Sequence, residues 1–295
     1  MDLLFFTHFL NGFLMIAMPL ALGFYLNHRW RLGWRLWGIG AVTFIISQIG
    51  HIPFNYFISW LFQKSFLPEP PVSWSPFFNP IFLGLSAGLF EELTRYIVFR
   101  WWAKDARSWR KGVLLGAGHG GTEAIILGAV TFYGFIQLVN LRNADLTHLF
   151  SASQLALAQQ QVHNYWNVSW TFSLLGAVER FFTIPVQIAL AVLVMQAVTR
   201  RQPLWVALAI LCHAALDASA AYFSILWSAY PWGAYALEGL VGIAALISIT
   251  IIFVLRQPEP VPAAEPIVSN SIVNPAPVIS EVEVTQEDAD KTRFI

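Results

Sequence analysis

The sequence predicts an all-α, polytopic membrane helix bundle of about seven transmembrane helices. Two compositional observations carry that prediction: 57% of the residues are hydrophobic and 12% are charged, where a soluble domain carries about 25% charged residues. The third observation is a pattern. Apolar runs of roughly 20 residues recur along the chain, the length that crosses a bilayer core at 1.5 Å rise per residue. Net charge is zero, so no basic field points to nucleic acid, and none is expected as a partner. The single cysteine, Cys212, rules out a disulfide within the chain and is read as a helix-packing residue.

Hydropathy places the spans at about 4–26, 38–62, 80–102, 112–139, 171–199, 203–223 and 233–255. The first has Asp2 and no basic residue ahead of its apolar run, so it reads as a permanent span rather than a cleaved leader. Orientation follows from the basic residues. Arg29, Arg31 and Arg35 lie in the first loop, Arg100, Lys104, Arg107, Arg110 and Lys111 in the third, Arg200 and Arg201 in the fifth, and Arg256 after the last span. The alternate loops hold only Lys64 and Arg142. Eleven against two puts the N-terminus outside and the C-terminus in the cytoplasm, in a multi-pass protein of the cell membrane.

The second loop, with Pro68, Pro70, Pro71, Pro76 and Pro80, reads as a stiff external connection. In the fourth, Leu146–Trp166 is polar but permits a helix; an external helix against the membrane surface and a flexible loop are both open. Residues 1–256 form the bundle. From Gln257 prolines interleave with small residues and give way to Glu281, Glu283, Glu287, Asp288 and Asp290, the composition of a disordered cytoplasmic tail over 257–295.

Ionisable residues inside the spans carry the functional signal, because each opposes insertion by at least a few kcal/mol. The third span contains FEELTR, with Glu91 and Glu92 four and three residues ahead of Arg95, so the arginine can neutralise one acid on its own helix. The fourth contains GHGGTE, with His119 and Glu123 one turn apart among Gly116, Gly118, Gly120 and Gly121, which let another backbone approach closely. The sixth contains HAALD, with His213 and Asp217 at the same spacing. Counted from the basic borders, these groups lie about 8 to 16 residues in, roughly 12–24 Å into a core about 30 Å thick. They overlap in depth and can meet. Glu179 and Arg180 in the fifth span lie nearer the outer face and read as a supporting brace; they point about 100° apart and need not pair with each other. Glu238 is placed at the interface.

FEELTR, GHGGTE, VERF and HAALD, in that order across the seven spans, resemble the YhfC family of intramembrane peptidases. That family is grouped with the CAAX prenyl endopeptidase and bacteriocin-processing proteases and with PrsW-like proteins. Two features depart from the CAAX-type pattern: Arg95 follows Glu92 by three residues rather than four, and Asp217 stands where asparagine is usual. Asp217 therefore suits a metal ligand or an orienter of His213 better than an oxyanion donor.

The resemblance implies an endopeptidase, glutamic-type or metallo-type, that hydrolyses peptide bonds of membrane-protein or lipid-anchored substrates within the bilayer. Its catalytic set would be Glu91, Glu92, Arg95, His119, Glu123, His213 and Asp217. Glu91 or Glu92 would be the base on a water reached from the cytoplasmic side, with His119 and His213 positioning it. In a metal-assisted version, His119, Glu123, His213 and Asp217 would bind a Zn²⁺-like ion. Two alternatives use the same residues: a proton- or cation-coupled transporter, and a non-catalytic membrane scaffold.

Overall fold

A computed structural model of the chain describes residues 2–258. The tail expected over 257–295 lies, beyond its first two residues, outside the described residues. The described residues form eight α-helices: α1 (Leu3–Trp30), α2 (Arg35–Gln63), α3 (Ser75–Ile97), α4 (Trp109–Leu141), α5 (Ala152–Trp166), α6 (Leu175–Thr199), α7 (Leu204–Trp227) and α8 (Gly233–Val254). Among the described residues, six helices are long and apolar enough to cross a membrane. The helix over the expected third span, α3, is not among them, because Glu91, Glu92 and Arg95 stand in its C-terminal half. The chain is a multi-pass integral membrane protein. Its lipid-facing positions carry Ile45, Ile49, Val130, Leu211 and Ile247, all exposed, which in water would be an aggregation surface and in a bilayer are ordinary.

Short turns join the first two helices. Arg31 closes α1 in the left-handed conformation (φ 54°), and Gly33 follows at φ 74°, where a side chain would be strained. After α3 the chain passes through one π-helical turn, Val98–Trp102, closed by the Ala103 amide on the Val98 carbonyl at 2.7 Å. In the short loop that follows, Asp105 accepts two hydrogen bonds from Arg35 at 2.9 and 3.1 Å, and that guanidinium holds its carboxyl below the usual range.

Of the two readings for the fourth loop, the helix is what forms. α5 is fixed to the ends of α1 and α4: His8 stacks on Tyr165 at 3.9 Å, the Trp166 indole donates to the Leu138 carbonyl at 3.2 Å, and Arg142 lies 4.1 Å over the Trp166 ring. Cys212 does not pack between helices; it is exposed on the outside of α7.

Glycines set which helices touch. A methyl group on Gly84 of α3 would stand 2.6 Å from the Ala214 carbonyl oxygen of α7, and one on Gly88 would stand 2.8 Å from the Ile210 carbonyl. On α4, Gly116 and Gly120 face α6, where a methyl would meet Ile188 Cα at 2.8 Å or Gln187 Cβ at 2.6 Å. Gly118 faces the Trp37 backbone of α2, and Gly40 of α2 answers against the Leu115 carbonyl. The glycines of GHGGTE are thus consumed by helix packing on both sides of α4. Replacing Gly84 with valine should destabilise the bundle by about 1–3 kcal/mol through overpacking. Gly134→Ala, where nothing lies within 4 Å, should leave stability unchanged or slightly raised. Thermal unfolding in detergent checks both.

Candidate active site

With α3 and α7 in backbone contact, the acids of FEELTR face the histidine of HAALD. Arg95 is fully buried, and its Nη1 donates to Glu92 Oε1 at 2.5 Å while Nη2 reaches Glu91 Oε2 at 3.4 Å and Gln187 Oε1 of α6. Glu92, also fully buried, takes His213 Nδ1 on the same Oε1 at 2.7 Å. A carboxylate only accepts, so Nδ1 carries the proton and His213 Nε2 is left facing Asp217 Oδ2, 3.4 Å away. Glu91 holds His119 Nε2 of α4 at 3.0 Å on Oε2 and accepts from Gln48 Nε2 of α2 at 3.0 Å on Oε1. Four helices thereby converge on two adjacent glutamates.

A second ion cluster adjoins the first. Arg180 Nη1 donates to Glu123 Oε1 at 2.7 Å, and Nη2 pairs with Glu179 Oε1, so the neighbours Glu179 and Arg180 do meet. Gln187 joins the clusters: it accepts from Arg95 and donates from Nε2 to Glu123 Oε2 at 2.8 Å. Glu238, near the start of α8, is half-buried with one carboxylate oxygen lacking a partner among the described residues.

Between the clusters lies a cavity of about 110 Å³ lined by Glu91, Glu123, Arg180, Gln187, His213 and Asp217 among others. Each water claims about 30 Å³ in the liquid, so the space suits a few waters and not a peptide. Its rim is open: the Glu179 and Asp217 side chains are 43% and 42% exposed. Every lining residue lies further from the basic helix ends than Arg95 does, so the cavity extends toward the α5–α6 and α7–α8 ends. The sequence predicts water from the side of the basic helix ends, and the lining residues of this cavity lie beyond Arg95 from those ends.

Glu92 and His119 do not line this space. Glu92 is sealed between Arg95 and His213, and His119 sits behind Glu91 with Phe44 edge-on at 5.3 Å. The proposed metal set separates in the same way. His119 turns to Glu91, Glu123 to Arg180 and Gln187, and His213 to Glu92 and Asp217. Among the described residues no three His, Cys, Asp or Glu side chains gather as a metal would need, and the Arg95 guanidinium already sits between the two glutamates, where a dication would be repelled. In this arrangement the residues do not fit a metal.

Sequence reasoning missed the neutral polar residues. Gln48, His51 and Asn55 form a stripe along α2 at helical spacing: His51 Nδ1 lies 3.4 Å from Gln48 Oε1, and its Nε2 faces Ser86 Oγ at 3.0 Å and Asn55 Nδ2 at 2.8 Å. The signal was present as QIGHIPFN in an apolar span, and Gln187 stood likewise alone in TIPVQIAL.

The chain is similar to known proteins over most of its length. A membrane protein of Bacillus subtilis (strain 168), described as "Uncharacterized membrane protein YhfC", is 28% identical over 220 residues, covering 72% of this chain and 83% of that protein. No solved structure matches the chain. The family model described as YhfC intramembrane metalloprotease matches residues 14–236, a span containing every residue of both ion clusters. The chain belongs to the YhfC intramembrane metalloprotease family.

Proposed function

We propose that the protein is an intramembrane endopeptidase that hydrolyses membrane-spanning or lipid-anchored peptides, with Glu91 as the general base. The observation that carries this reading is the asymmetry of the glutamate pair. Both contact Arg95, but Glu91 alone lines the small polar cavity. A water held there loses a proton to Glu91 as its oxygen attacks the substrate carbonyl carbon. With the peptide at the open rim, Arg180 and Gln187 are the donors on the cavity wall that would face the resulting oxyanion. Glu91 then returns the proton to the leaving amine nitrogen, which completes the hydrolysis.

The other residues act through these. Arg95 balances the charge of the pair, and Glu92 accepts the Nδ1–H hydrogen bond of His213 and sets the tilt of its ring. Asp217 stands at the rim beside the other ring nitrogen, where it stabilises the imidazolium if that nitrogen is protonated. His119 and Gln48 clamp the two oxygens of Glu91 so that it presents one orientation to the water. The family description names metalloproteases, and since the described side chains do not gather around a metal, no step here runs through one.

The test is cleavage of a membrane-anchored peptide by purified protein in detergent or liposomes. Glu91→Gln should lower kcat by about 10²- to 10⁴-fold, the usual contribution of a general base. Glu91→Gln with full activity would overturn the assignment, and proton flux in liposomes without cleavage would assign the clusters to transport instead. His119→Gln, removing a clamp rather than the base, should cost about tenfold in kcat and shift the pH profile while leaving KM near that of the wild type. Exhaustive chelation should leave activity unchanged; loss on chelation with recovery on adding Zn²⁺ would show that the side chains regroup around a metal.

A further inference from the structure

On the opposite side of α6 from the ion clusters, an apolar cleft of about 800 Å³ runs between α1 and α8. Met18 and Leu22 of α1 and Ala245 and Ile249 of α8 form its walls, and Ile184 and Ile188 of α6 its floor. One end differs in chemistry. Arg29, Trp30, Trp109 and Arg256 close it, at the helix ends that carry the basic loops. Trp30 and Trp109 meet edge to face at 5.6 Å, the Arg256 guanidinium lies 5.2 Å over the Trp109 ring, and the Trp109 indole is pinned by donating to the Ile252 carbonyl at 2.7 Å.

Neither Arg29 nor Arg256 has an ion-pair partner within 4.0 Å among the described residues, and no acidic residue lines the cleft. From Met18 to Arg29 on α1 and from Gly242 to Arg256 past α8 the cleft runs about 11 and 14 residues, or roughly 16–21 Å. That is between half and about two-thirds of a core about 30 Å thick, enough to follow one leaflet.

We infer that this cleft is a binding site for an anionic phospholipid, its phosphate between Arg29 and Arg256 and its acyl chains against α6. Two guanidiniums match phosphate oxygens, tryptophans sit where headgroup meets tail, and the apolar walls follow the chain to mid-bilayer. Among the described residues the headgroup end presents two cations and no carboxylate, so the site favours a lipid of net negative charge over a zwitterionic one. The inference is independent of the proteolytic reading, since among the described residues neither Arg29 nor Arg256 is hydrogen-bonded or ion-paired to the ion clusters.

The experiment is native mass spectrometry of the full chain titrated with phosphatidylglycerol or phosphatidylcholine of matched acyl chains. The wild type should hold phosphatidylglycerol on the order of ten- to thirtyfold more tightly, and the Arg29→Ala/Arg256→Ala variant should lose that preference. Gly242→Leu, which fills the apolar part beside Phe182, should weaken both lipids alike, with an unchanged lipid-free thermal midpoint confirming that each variant is folded. Equal affinity for the two lipids in the wild type, or a retained preference in the arginine variant, would overturn the proposal. So would phosphatidylglycerol binding that appears only when Glu281, Glu283, Glu287, Asp288 and Asp290 are all neutralised to glutamine or asparagine, because the acidic tail would then be the native occupant.

Discussion

The constraint on which the rest depends is the burial of Arg95. A guanidinium with no exposure at membrane depth cannot be left to lipid or to neutral partners, and one carboxylate would leave several of its donors unserved. It takes Glu92, Glu91 and Gln187, from its own helix and from α6. Those partners are bonded in turn by His213, His119 and Gln48 from three further helices, with Glu92 Oε2 left without a partner among the described residues. Removing one member of such a network typically costs about 3–5 kcal/mol, because it strands a buried charge. The ion cluster is thus as much a specification of which helices meet as a chemical site.

Within that frame, adjacency on a helix separates two identical side chains. Glu91 and Glu92 point about 100° apart, so one reaches α4 and the cavity while the other turns to α7. A doubled glutamate is therefore not a redundancy. It places one carboxylate where it can face water and one where it is fully enclosed, with a shared arginine holding the local charge.

The spans and the charged motifs were legible because hydropathy and intramembrane charge are large, local signals. α3 shows the tension between them: the residues that reveal its function are those that make it the least membrane-like of the long helices. What the sequence hid was direction. His119 and Glu123 lie one turn apart, yet the first is drawn to Glu91 and the second to Arg180 and Gln187, so a shared face did not become a shared site. Which way each turns depends on contacts of Gly84, Gly88, Gly116 and Gly120, and a glycine does not announce which neighbour it admits. Gln48 and Gln187 escaped notice because a neutral amide disturbs hydropathy far less than a charge does, although both complete the network.

The π-helical turn at Val98–Trp102 carries one residue more than a regular helix needs. Upstream of it Glu91, Glu92 and Arg95 are locked to their partners; downstream Arg100 and the basic loop are not bound by that geometry. The wide turn draws Phe99, Ala103 and Ala106 inward, all fully buried, and leaves Trp101 and Trp102 exposed. The turn therefore bolts the end of α3 to the bundle, and its two outward indoles sit where the chain leaves the apolar layer, the depth that tryptophan favours.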